Sequence, residues 1–98
     1  MQIIARRTLR QFWEKHPRAA GPLKAWFALV SHADWRGPSD VRAMFGNAVD
    51  FVADNRVIFD IGGNKYRLIT HVAYGFGRVL VKFVGTHTEY DRIDPESV

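Results

Sequence analysis

The stretch DFVADNRVIFDIGGNKYRLITHVAYGFGRVLVKFVGT, residues 50–86, is dense in Val, Ile, Phe and Tyr and is punctuated by glycine. β-Branched and aromatic residues in short runs between turn residues favour strands. Four strand segments are expected, at 49–53, 56–61, 65–74 and 78–85. Gly62-Gly63-Asn64 and Gly75-Phe76-Gly77 supply the turns after the second and third. Breaks this short cannot house a crossover helix, so consecutive strands must run antiparallel.

The residues before this stretch follow a different period. Leu9, Phe12 and Trp13 fall at i, i+3, i+4, with Thr8 as the expected cap, and His16-Pro17 interrupts the run. Leu23, Trp26, Phe27 and Val30 repeat the spacing, which predicts a second helix within 18–33, with Pro22 in its first turn. In WRGPSDVRAMFG, Ser39 or Pro38 can open one helical turn and Gly46 can close it. Helices first and strands after predict a single α+β domain over 1–98, a helical hairpin packed on a four-stranded, mainly antiparallel sheet.

Fourteen Lys and Arg stand against ten Asp and Glu, a net charge of +4, and the pI is about 9.9. Such a balance suits a nucleic-acid partner, and an acidic protein equally. With no cysteine there is neither a disulfide framework nor thiolate chemistry. No window approaches the ~18 apolar residues of a membrane span, and the first residues lack a secretory apolar core. A cytoplasmic protein is expected.

Side chains alternate along a strand, so Lys65, Arg67, Ile69 and His71 share one face and Tyr66, Leu68, Thr70, Val72 and Tyr74 the other, core-facing one. If Tyr74 pairs with Arg78, Arg67 lies opposite Gly85 and Lys65 opposite His87, while Lys82 falls on the far side, opposite Thr70. A bulge would reverse that last placement. Lys65, Arg67, His87 and Tyr90 then form a kit suited to RNA. An RNA 2′-OH can attack the adjacent phosphate, so the protein need only orient the strand, neutralise charge and move protons. The same residues would serve a catalytically silent RNA- or ribosome-binding module, or a basic interaction protein. His87, Glu89 and Asp91 lack convincing metal-ligand spacing, so no metal and no cofactor are expected.

VIFDIGGNKYRLITHVAY followed by VLVKFVGTHTEYDRID resembles the HigB branch of the RelE-like toxins. GNKYRL and GTHTEYD carry the resemblance most specifically, and Trp35, Pro38 and Asp40 match a W-x-x-P-x-D stretch. The resemblance implies a ribosome-dependent endoribonuclease that cuts mRNA in the ribosomal A site without metal and inhibits translation. Its implied partners are the ribosome and a helix-turn-helix antitoxin, through which alone it reaches operator DNA. Carried onto this chain, the implied catalytic set is Arg67, Lys82, His87 and Tyr90, with Lys65, Arg78 and Arg92 as further RNA contacts. Whether His87 acts as acid, base or phosphate ligand stays open. The resemblance asks Lys82 to join Arg67, and the simple register separates them; a bulge near Gly75-Phe76-Gly77 is expected to reconcile the two.

Overall fold

The computed structural model describes residues 1–98. Five strands form one sheet: β1 (Gln2–Ile4), β2 (Val49–Val52), β3 (Arg56–Ile61), β4 (Tyr66–Ala73) and β5 (Arg78–Thr86), in the order β1-β5-β4-β3-β2. β2 to β5 make the expected antiparallel meander. The four-stranded expectation is corrected by β1, three residues that pair in parallel with the outer edge of β5. Three residues cannot show a convincing alternation, so nothing local announced this strand.

Four helices complete the chain: α1 (Arg6–Lys15), α2 (Ala20–Ser31), α3 (Pro38–Phe45) and α4 (His87–Tyr90). Thr8 does not cap α1; the helix starts three residues earlier than such a cap would set it, after Ala5 in a left-handed conformation that turns the chain out of β1. Short 3-10 turns at Pro17–Ala19 and Tyr74–Phe76 join α1 to α2 and β4 to β5. α3 is longer than the single turn expected. Pro38 occupies its first position and Gly46, at φ 58°, ends it. Asp40 accepts a hydrogen bond from the Arg36 amide at 2.8 Å, closing the loop into α3. No helix is long and apolar enough to cross a membrane.

The apolar stripes of α1 and α2 cover one face of the sheet. Leu9, Phe12, Leu23, Trp26 and Val30 pack against Val57, Phe59, Ile61, Tyr66, Leu68, Val72, Val79 and Val81. Phe59 is the hub: Trp26 and Phe45 meet its ring edge-on at 5.4 and 4.9 Å, and Trp35 stacks on it at 6.2 Å. Thr70, the one buried polar side chain of this layer, donates its hydroxyl to the Val57 carbonyl at 3.0 Å. Trp13 and Phe27 are half-buried at the margin and carry the Lys24 and Arg6 cations on their rings, at 5.3 and 4.8 Å.

The β4–β5 register matters most for function. Arg67 lies opposite Gly85, as expected, but Arg78 pairs with Ala73 instead of Tyr74. Ile69 faces Phe83 and Thr70 faces Val81, so Lys82 has no partner and forms a β-bulge. The bulge absorbs the one-residue offset at the turn, and it sits at Lys82, not beside Gly75–Gly77. It puts Lys82 on the side of Leu80 and Phe83, away from the helices, which corrects the simple register. Lys65 is displaced too: it lies exposed in the turn before β4, and pairing stops at Tyr66–Thr86, so no strand register links Lys65 to His87.

Candidate active site on the open sheet face

The sheet face turned away from α1 and α2 is built of three rungs, each crossing β3, β4 and β5. Asp60, Arg67 and Gly85 form the first, Ile58, Ile69 and Phe83 the second, and Arg56, His71 and Leu80 the third. At about 3.4 Å per residue, the first and third rungs lie roughly 13 Å apart along β4.

On the first rung Arg67 Nη1 approaches Asp60 Oδ1 at 3.0 Å, and both side chains are largely buried. The pairing follows from the Gly62–Lys65 turn, which sets Ile61 against Tyr66 and therefore Asp60 against Arg67. A guanidinium offers five N–H donors, so one nitrogen held by Asp60 leaves the rest of the fork available. The Arg67 guanidinium carbon lies 5.6 Å from the centre of the Tyr90 ring, a cation–π contact. Gly85 leaves the room for this arrangement. A Cβ there would lie 2.5 Å from the Phe83 ring and 3.2 Å from Glu89 Cβ.

Tyr90 and His87 are positioned by a capping box. The Thr86 hydroxyl accepts from the Glu89 amide at 3.3 Å, and Glu89 Oε1 accepts from the Thr86 amide at 2.8 Å. Those hydrogen bonds hold the Glu89 carboxyl below its ordinary value. They turn the chain sharply from β5 into α4. Residues three apart on a helix are neighbours, so His87 and Tyr90 share one side of α4. Burial pushes the Tyr90 phenol up, against the opposing pull of Arg67, so it is an O–H donor at neutral pH.

Beyond α4 the chain folds back over the same face. Arg56 Nη1 donates to the Pro95 carbonyl at 3.4 Å and to the Val98 carbonyl. Between these anchors Ile58 and Ile69 are 3% and 0% exposed, although no helix of the hairpin covers their side of the sheet. The third rung stays open. There Asp54, Asn55, Arg56, His71, Leu80 and Lys82 line a cleft of about 510 Å³.

The residues expected to act together are thus divided. Arg67 and Tyr90 meet at the first rung, His87 opens α4 directly after β5, and Lys82 sits at the third rung. Lys65 is on the exposed turn beside the first rung. Arg92 is exposed just after α4. Arg78 lies at the far end of β5, exposed, with its guanidinium 5.9 Å from the Phe76 ring, and joins neither group. Asp60, Arg56 and His71 were not singled out from sequence. Alternation alone places His71 on the Arg67 face; Asp60 and Arg56 needed the β3–β4 register.

The description "HigB_toxin, RelE-like toxic component of a toxin-antitoxin system" belongs to the family model that matches residues 19–93. Among similar proteins, "mRNA interferase HigB" of Escherichia coli O6:H1 is 29% identical over 94 residues, covering 95% of this chain and 91% of that protein. The "mRNA interferase toxin HigB" of E. coli K12 is 27% identical over 92 residues, covering 93% and 88%. The family model takes in α2, α3, all four antiparallel strands and the capping box that carries His87 and Tyr90. With the fold and these motifs in place, this chain belongs to the HigB family of RelE-like toxins.

Proposed function

We propose that this chain is an endoribonuclease toxin that cuts mRNA in the A site of the translating ribosome, using the RNA's own 2′-OH as nucleophile. The observation that supports it best is the first rung: Arg67 steadied by Asp60, with the Tyr90 ring against it and His87 on the same side of α4. In the proposed step the 2′-oxygen forms a bond to phosphorus and the bond from phosphorus to the 5′-oxygen breaks. The products are a 2′,3′-cyclic phosphate and a 5′-OH. Arg67 donates to the phosphate oxygens as negative charge builds on them. His87 takes the 2′-OH proton, and the phenol of Tyr90, held protonated by burial, gives one to the departing 5′-oxygen. The step calls on charge and proton transfer from side chains, without metal. The exposed Lys65 and Arg92 attract the flanking backbone, a salt-sensitive contribution. Arg78, more remote, is assigned to the outer margin of the RNA path. A helix-turn-helix antitoxin is the proposed binding partner, and operator DNA is reached only through it.

The test is primer extension on mRNA engaged by purified translating ribosomes. Wild-type protein should leave discrete cuts, and Arg67→Ala should reduce cutting by about 10²–10³-fold, the effect of losing one charge-stabilising donor. Removing Arg67 alone strands the Asp60 carboxylate, so the Arg67→Ala/Asp60→Ala pair keeps a folding defect from posing as a catalytic one. Full activity in the Arg67→Ala protein would remove the proposed role. Ribosome stalling without cut products would favour a silent binder.

A further inference from the structure

The third rung has features that the cutting chemistry at the first rung does not use. The bulge is the only break in the β4–β5 ladder, and it falls at Lys82, turning that side chain into the cleft. Bulges commonly re-aim side chains beside working sites. Lys82 is exposed and has no ion-pair partner, whereas Arg56 already donates to the carbonyls of Pro95 and Val98. The opposite wall is anchored to the sheet. Asp54 and Asn55 take the left-handed turn between β2 and β3, and the Asn55 carbonyl accepts from the Val72 amide at 2.9 Å. That bond ties the turn to β4 next to His71. Asp54 also lacks an ion-pair partner, although two cations line the same cleft. A pocket meant only for phosphate would gain nothing from this carboxylate. A carboxylate is suited to accept hydrogen bonds from the amino group of a base.

We infer that the Asp54–His71–Lys82 cleft is a nucleotide subsite that reads one base of the RNA a short distance from the cut and favours a base carrying an exocyclic amino group over uracil. Lys82 holds that nucleotide's phosphate, His71 and Leu80 give the base a face to lie on, and Asp54 accepts from its amino group. The apolar second rung separates this subsite from the cutting site by roughly 13 Å, which an extended strand spans in a few nucleotides. The inference rests on the first rung being the cutting site.

The experiment is to map cuts across a library of mRNAs on translating ribosomes and tabulate the base at each position around them. Wild-type cuts should show one position, set back from the scissile linkage, where adenine, cytosine or guanine is enriched over uracil. Asp54→Ala should flatten that preference by about tenfold while cutting persists. Asp54→Asn, which suits the turn's φ of 61° and adds an amide donor that the carboxylate lacks, should admit uracil. Lys82→Gln should lower cutting at all sites about equally. All three changes are at exposed positions, and melting curves matching wild type confirm the fold. An unchanged base table in both Asp54 variants, or uracil preferred at that position, overturns the subsite and leaves the cutting site standing. No cutting by the wild-type protein overturns both.

Discussion

The two faces of β4 solve opposite problems with neighbouring residues. Tyr66, Leu68, Thr70 and Val72 point to the helices and are all buried, and the Thr70 hydroxyl is spent inside the sheet on the Val57 carbonyl. Arg67, Ile69 and His71 point the other way and meet an ion pair, a sealed apolar rung and an open cleft. The helix face can be assembled from interchangeable apolar volume. The open face depends on individual pairings, each fixed by a turn, a bulge or a cap. On the proposed function, stability and chemistry are therefore separable, residue by residue along a single strand.

The separation can be tested hardest at Phe59. Its ring joins Trp26, Trp35 and Phe45, so Phe59→Ala should cost about 3–5 kcal/mol in denaturant unfolding. Cutting per folded molecule should hardly change, and a large specific loss there would break the division between faces. Gly85→Ala is the counterpart on the open face. Its methyl group would press on the Phe83 ring, costing about 1–3 kcal/mol and pushing Phe83 or α4 aside. Activity should fall further than stability, because Tyr90 is carried by α4.

Thr86→Ala sharpens the contrast at lower amplitude. Loss of the capping box should cost about 1 kcal/mol in thermal unfolding near neutral pH and reduce cutting by loosening His87 and Tyr90. Glu89 titrates below its ordinary value in the folded chain. Its contribution is complete above that ordinary value and is lost as pH falls past the lowered one; because its main partner, the Thr86 amide, survives in Thr86→Ala, both proteins should lose stability in acid. The smallest effect is expected in alkali. Tyr90 ionises later folded than unfolded, so its share of stability is present below the ordinary tyrosine value and disappears as pH rises through the raised one. Melting curves of Tyr90→Phe should decline less steeply there than those of wild type.

Much of this was legible in the residues alone. Glycine-marked turns and β-branched runs define the meander, and helical spacing finds α2 and most of α1. Alternation assigns the two faces of β4 correctly from Tyr66 to Val72. Trp35, Pro38 and Asp40, quoted for their family pattern, prove to be framework: a stacked core ring, a helix-opening proline and a loop-closing carboxylate. What escaped was whatever depends on two segments at once. A bulge is a difference in count between partner strands, and nothing in either strand shows it. β1 exists only because the edge of β5 accepts it. The Asp60–Arg67 pair becomes visible once the hairpin register is known, and the return of residues 91–98 across the sheet has no local signature.

That parallel edge pairing has a temporal consequence. Gln2–Ile4 is made well before the strand it docks on, Arg78–Leu80. Arg67, His87 and Tyr90 also emerge late. While it is being made, the polypeptide can form its helices but cannot close its sheet or assemble the Arg67–Tyr90 contact.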